Sequence, residues 1–267
     1  MFERYMVTPE IPFDLNNIDP NFSENFKNKK DVEKEFSKLK EKLCDLQDIL
    51  YAEGKRRILI VLQGMDTAGK DGTIKHVFKE VHLQGIRVAN FKSPTATELA
   101  HDFLWRVHKE VPGNGEIVIF NRSHYEDVLI TRVHKLIPEK IWIKRYEHIR
   151  NFEKLLFDEG TIILKFYLHI SKDEQKKRLI ERRDNPKKRW KLHKEDIEER
   201  KYWNDYINAY NEVIAETSTF YAPWYIIPAN KKWFRNYIVA KIIVKKLESL
   251  NMKYPDPEPG IENIEIE

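Results

Sequence analysis

A single cysteine, Cys44, stands in a chain of 267 residues, so no intrachain disulfide can form and no cluster of cysteines can hold a metal. The nine histidines include no His-x3-His pair backed by acids, and the sequence therefore predicts no zinc site. No apolar run approaches the roughly 20 residues that a membrane span requires. The opening Met-Phe-Glu-Arg-Tyr-Met lacks the basic head and apolar core of an export signal. No repeat at a solenoid period is visible. These absences predict a cytoplasmic protein with no membrane partner. What the chain does have is a hydrophobic fraction of 41% and a charged fraction of 34%, enough to bury a core beneath a well-solvated surface. One large α/β domain fits that length.

The charge is unevenly placed. From Lys172 to Lys194 there are eleven Lys or Arg against four Asp or Glu, on a chain whose net charge is only +4. The remainder is thus faintly acidic, and the segment is either a solvated helix face or the place where a polyanion is met.

Strand and helix signals alternate along the chain. Residues 1–28 read as an irregular arm. From Asp31 to Tyr51 the apolar residues Val32, Phe36, Leu39, Leu43, Leu46 and Leu50 form the seam of an amphipathic helix, which packs either on the body or on a partner subunit. Strands are predicted at Ile58–Leu62, Ile86–Phe91, Glu116–Phe120, Ile162–His169 and Trp224–Ile227. Helices are predicted at Lys70–Val81, Thr97–Lys109, from about Ser123, and at Glu139–Glu159, Lys194–Thr217 and Lys232–Leu250. Such alternation gives a parallel sheet of about five strands covered by helices on both faces. The organisation expected is an arm and helix at 1–54, a main α/β domain at 55–250 and an acidic, Pro-containing, disordered tail at 251–267.

Three segments carry chemistry. The first is Gly-Met-Asp-Thr-Ala-Gly-Lys-Asp-Gly-Thr at 64–73, a Gly-x4-Gly-Lys (Walker A) pattern between a strand and a helix. In that context it is a P-loop: Gly64 permits the exit from the strand, Gly69 lets backbone amides close on phosphate, and Lys70 reaches a terminal phosphate. Thr67, Ala68, Gly72 and Thr73 complete the candidate contacts. Two acids need explaining. A carboxylate beside phosphates is repulsive unless a cation or a transferable proton lies between them, so Asp66 is read as a metal ligand or base, against the alternative of a turn-forming Asp. Asp71 stands where a magnesium-holding Ser or Thr is usual, and is read as a structural acid in the first helical turn.

The second segment is Ile-Val-Ile-Phe-Asn-Arg-Ser-His-Tyr-Glu-Asp-Val-Leu at 117–129. Asn121 occupies the strand-end position where an Asp directed at magnesium is usual, and Arg122 can clamp a phosphoryl group. Glu126 either faces ligand or closes a capping box with Ser123. The third is Glu-Arg-Arg-Asp-Asn-Pro-Lys-Lys-Arg-Trp-Lys at 181–191, on the connection that serves mononucleotide kinases as a lid. Asn185-Pro186 breaks its helix. The position favours ligand binding over the solvated face. Arg106 is read as a nucleotide-phosphate contact or the partner of a surface acid. Lysines and aromatics near Lys231 suit helix packing better than nucleic acid.

Taken together, the loop, the Asn-Arg strand end and the basic lid resemble the family-2 polyphosphate kinases over most of residues 30 to 250. The resemblance implies a thymidylate-kinase-like P-loop scaffold and phosphate transfer between inorganic polyphosphate and AMP, ADP or ATP. It implies magnesium, with manganese as a substitute, and a homo-oligomer, dimer or tetramer, which the apolar seam also favours. Carried onto this chain, Asp66 and Lys70 serve the transfer, Arg122 binds phosphate, and Arg178, Arg182 and Arg183 belong to the lid. Lys75, Lys187, Lys188 and Arg189 are the further cations expected along polyphosphate. Asn121 and Glu126 depart from the best-known branch and match the branch called class III, which accepts AMP as well as ADP; with Asp66 they are the candidate metal ligands. An ATP-dependent nucleoside monophosphate kinase is the rival enzyme reading, and a P-loop protein binding nucleic acid through 172–194 the non-enzyme one.

Overall fold

A computed structural model describes residues 2–266. Its elements run α1 (Lys30–Glu53), β1 (Arg57–Gln63), α2 (Lys70–Val77), β2 (Ile86–Asn90), α3 (Ala96–Leu99), α4 (Trp105–His108), β3 (Ile117–Asn121), α5 (Glu126–Val133), α6 (Glu139–Asp158), β4 (Thr161–His169), α7 (Lys172–Asp184), α8 (Lys194–Glu199), α9 (Trp203–Thr217), β5 (Trp224–Pro228) and α10 (Lys232–Glu248). The five strands form one parallel sheet in the order β2-β3-β1-β4-β5. Every residue of β1 from Ile58 to Gln63 is buried, as a central strand covered on both faces must be. Helices α2 and α10 cover one face, and α5, α6 and α9 the other.

All five expected strands are present, and their C-terminal ends open on one edge, where the loops carrying the chemistry lie. Asn121 is in register with Leu62 on β1 and with Asn90 on β2, so the end of β3 sits beside the start of the P-loop.

Two long helices of the sequence reading are broken. The predicted helix Thr97–Lys109 is two single turns, because Asp102 turns back to accept the amides of Leu104 (2.9 Å) and Trp105 (3.1 Å) and starts a new helix there. The predicted helix Lys194–Thr217 divides into α8 and α9 across a tight turn at Arg200–Tyr202. The arm is held down. Val7 donates to the Trp224 carbonyl (2.8 Å), Ser218 Oγ donates to the Val7 carbonyl (2.7 Å), and Leu15 is buried, so the arm covers the β5 edge. The α1 seam packs on the chain's own α10: Val32, Leu43 and Leu50 are buried, and Glu35 takes Tyr237 Oη (2.7 Å) and Lys241 Nζ (2.8 Å). That contact uses the seam within the subunit and removes it as an argument for a partner. In the tail, residues 253–266 are exposed and carry one short turn at Ile261–Asn263.

Candidate active site

The P-loop leaves β1 at Gly64, whose φ of +149° brings its Cα so close to β4 that a Cβ would stand 2.8 Å from the Leu168 carbonyl oxygen. At Gly69, φ is +104° and a Cβ would overlap the Arg235 guanidinium, so only glycine fits. Thr67 adopts φ +62°, a conformation costing a non-glycine residue about 1–3 kcal/mol, which packing around the loop must offset. Its hydroxyl is buried with no hydrogen-bond partner in the protein. An orphaned donor inside a loop of this kind marks a position that a ligand oxygen can satisfy.

Two buried arginines fix the loop from behind. Arg178 on α7 donates to the carbonyls of Thr67 (2.9 Å), Ala68 (3.0 Å), Ala229 (2.6 Å) and Asn230 (3.0 Å), and to Glu174 (2.8 Å). Arg235 on α10 donates to the Ala68 carbonyl (3.0 Å) and to Asn236. A trans peptide directs its N–H opposite to its C=O, so holding the Ala68 carbonyl rearward turns the Gly69 amide forward. Arg178, expected among the polyphosphate-facing cations, is instead engaged with loop backbone. Arg235 carries no sequence signal of this role, because nothing local marks an arginine in an apolar helix as a clasp for a loop far away in the chain.

In front of the loop, Lys70 Nζ donates to the Gly64 carbonyl (2.8 Å). Enclosure, and then the nearby Arg122 cation, push its ammonium down to about 8, against the pull of Asp66, Glu126 and Asp71. Arg122 follows β3 with φ +64°, its backbone amide bonded to the Leu62 carbonyl, and makes no side-chain hydrogen bond among the described residues. The turn that presents it is anchored from below. Tyr125 Oη donates to Glu153 (2.7 Å) and accepts from Lys165 (3.0 Å), and Lys165 also reaches Glu153 (2.6 Å) and the Thr217 carbonyl (2.7 Å), all fully buried. Burial pushes the Glu153 carboxyl up, but Lys165 and His124 together outweigh it and hold the group below its ordinary range.

Asp66, Lys70, Asp71, Lys92, Asn121, Arg122, Arg182, Lys188 and Lys191 line one cleft of about 790 Å³. Asp66 makes no bond to its own turn; its carboxylate lies 3.5 Å from Arg182. Asp71 accepts from Asn121 Nδ2 (2.9 Å) and stands 3.6 Å from Lys191, so it is drawn to the cleft instead of serving only the helix end. Asn121 Nδ2 also donates to Asn90 Oδ1 (2.9 Å). Glu126 forms no capping box: Ser123 Oγ takes the Tyr125 amide (3.2 Å), and Glu126 lines an adjoining cavity of about 370 Å³ with Asp66, Lys70, Arg122, Tyr206 and Tyr210.

The remaining expected residues divide. Gly72 lines the cleft, whereas Thr73 is buried and donates to the Gly69 carbonyl (3.2 Å). Arg106 donates to the Lys92 carbonyl (2.9 Å) and faces Glu98 at 3.4 Å, the surface-acid alternative. Lys75 is exposed on α2, and Lys187 is exposed in the lid. Arg183 pairs with Asp184 (2.7 Å) and Arg189 donates to the Arg183 carbonyl (2.9 Å). Lys191 lies within the basic 181–191 segment, where its position gives no sign that it faces the loop, and Lys92 and the two tyrosines come from stretches without a motif. No three acids of the cleft bring their oxygens within 4.8 Å of one another among the described residues. The donors offered are hard oxygens, one or two at a time, which suits an ion of the magnesium kind that shares its shell with phosphates and water.

A parallel sheet, a glycine-gated loop and cations with free donors define a P-loop phosphotransferase. A family model described as polyphosphate kinase 2 matches residues 26–255, and the chain belongs to that family. It is 55% identical over 266 residues to the AMP/ADP-polyphosphate phosphotransferase of Meiothermus ruber, spanning 99% of this chain and 100% of that one. It is 47% identical over 232 residues to the ADP-polyphosphate phosphotransferase of Rhodopseudomonas palustris, spanning 82% and 80%. The crystal structure of polyphosphate kinase 2 from Arthrobacter aurescens TC1 superposes with a TM-score of 0.94 at 41% identity, covering 98% of this chain and 93% of that one.

Proposed function

We propose that this chain transfers phosphoryl groups from inorganic polyphosphate to AMP and ADP, the ADP step being reversible. One observation carries the choice of donor: the main cleft is lined by six Lys or Arg side chains, Lys70, Lys92, Arg122, Arg182, Lys188 and Lys191, against two acids. A row of cations suits a long polyanion better than a single triphosphate, and the residue after Lys70 is an acid where ATP-binding loops place a hydroxyl. The family and the names of its relatives support the same reading.

In this mechanism Lys70 and Arg122 hold the phosphoryl group in flight, and the Gly69 amide and Thr67 hydroxyl bind oxygens next to it. Arg182, Lys188 and Lys191 hold the donor chain, and the cavity beside Glu126, Tyr206 and Tyr210 takes the nucleotide. Catalysis is then positioning and charge neutralisation between two bound phosphates. Asp66 and Glu126, with the Asn121 oxygen, would hold a magnesium or manganese ion, which when bound offsets the repulsion between donor and acceptor phosphates. The family resemblance also favours a homo-oligomer, which light scattering reads directly.

The deciding experiment supplies polyphosphate and AMP without ATP and follows ADP. Formation of ADP is expected; no product with polyphosphate, alongside turnover with ATP, would establish the ordinary nucleotide kinase instead. Asp66→Asn is expected to abolish turnover while polyphosphate binding by filtration or calorimetry changes little. Unchanged turnover in that variant would remove Asp66 from the mechanism.

A further inference from the structure

Away from the cleft, the loop leading from α2 to β2 meets α1, and the contact gathers three kinds of metal ligand. Cys44 and Asp48 are one turn apart on α1 and project from the same side. His82 comes from the loop. The Cys44 sulfur, an Asp48 carboxylate oxygen and a His82 ring nitrogen all lie within 4.8 Å of one another. His82 Nε2 stands 3.7 Å from Asp48 Oδ2. Ligands bound tetrahedrally at about 2.0–2.3 Å are about 3.3–3.8 Å apart, so this pair already has the spacing an ion would impose.

We propose that Cys44, Asp48 and His82 form a site for a borderline-soft divalent cation of the zinc type, with one thiolate, one carboxylate, one imidazole and a fourth position for water. The ligand set separates it from the ion of phosphoryl transfer, for which Asp66, Asn121 and Glu126 offer oxygen. The thiol now donates to the Glu80 carbonyl (3.2 Å), and its proton would leave as the metal binds. Around the trio the same two elements are already joined, by the ion pair Lys40–Glu80 and by Gln47 Nε2 donating to the Gln84 carbonyl (2.6 Å). A metal here would clip α1 to the segment that follows the helix of the P-loop. Spacing in the sequence could not reveal the site, because its third donor lies beyond the phosphate loop.

The test uses the full-length enzyme stripped of metal and titrated with Co2+ as an optical probe. One equivalent should bind with a thiolate-to-cobalt charge-transfer band and the intense visible bands of tetrahedral coordination, and Zn2+ but not Mg2+ should displace it. Cys44→Ser should lose the charge-transfer band. His82→Ala and Asp48→Asn, both changes of partly or well exposed side chains, should each weaken binding at least tenfold while the metal-free melting temperature stays put. Absence of the band in the unsubstituted protein, or a band whose affinity is unaffected by His82→Ala, would overturn the proposal, the second result reducing it to a lone thiol.

Discussion

Two pairs of arginines stand on opposite sides of the P-loop. Arg178 and Arg235, behind it, are 4% and 2% exposed and have their donors engaged by backbone carbonyls, Glu174 and Asn236. Burial, and then the neighbouring Arg178, push the Arg235 guanidinium down to about 9, a sign of how little counter-charge surrounds it. Arg122 and Arg182, in front, make long contacts or none: Arg182 reaches Asp66 and the Lys191 carbonyl only at 3.5 and 3.4 Å. Arg178 and Arg182 are one helical turn apart and look equivalent in the sequence. What separates their roles is whether the guanidinium has donors left. The rear pair shapes the loop, and on the proposed function the front pair would meet the ligand.

The largest effect that would break this division concerns the front. Lys70→Ala and Arg122→Ala should each lower kcat by about 10²–10³-fold, the cost of removing one preorganised charge from a transition state, with melting temperature nearly unchanged. Loss of several degrees in either would mean that these cations are structural. The rear should respond in the opposite way. Arg235→Met leaves the buried Asn236 Oδ1 without its donors and the Ala68 carbonyl with Arg178 alone, worth about 1–3 kcal/mol, or roughly 3–10 °C of melting temperature for a domain this size. Activity should fall with stability there, and a melting temperature equal to that of the parent would contradict the clasp.

A smaller effect sharpens the front half. Lys70 is held down at about 8, so the charged form that binds phosphate is complete below that pH and is lost above it. The kcat/KM for polyphosphate, which reports the free enzyme, should therefore be level below pH 8 and fall about tenfold per unit above it. Lys70→Arg keeps its charge and should lose that shoulder, whatever its rate. The same shift has a sign in stability: between about 8 and the unfolded value near 10.4 the unfolded chain binds the proton the native state has shed, so this group makes stability rise with pH in that window.

Why the sequence showed some of this and not the rest follows from the range of each signal. Apolar runs such as Ile58–Leu62 are local, and every strand was found within about two residues. Breaks in helices depend on single residues turning back on the chain, as Asp102 does, and periodicity continues across them. The loop and the Asn121-Arg122 corner were legible because backbone conformation and chemistry coincide there. The direction of a side chain is not legible: Arg178 faces inward because the Thr67, Ala68, Ala229 and Asn230 carbonyls converge on it, and two of those lie just beyond β5. Tyr206 reaches the cavity beside Glu126 from α9 by the same long-range logic.

The smallest expected effect divides the lid itself. Arg183 is directed outward onto its neighbour Asp184, and Arg189 is tied to the Arg183 carbonyl, whereas Arg182 faces the cleft. Exposed pairs of this kind contribute little, so Arg183→Ala and Arg189→Ala should change KM for polyphosphate less than about twofold, while Arg182→Ala should raise it about tenfold. Titrating salt separates long-range attraction from contact, because screening weakens outward cations first. If Arg183→Ala matched Arg182→Ala at high salt, both would have to touch the chain. Adjacent helix residues point about 100° apart, so that result would require either α7 to turn as the lid closes or the donor chain to wrap part of the helix.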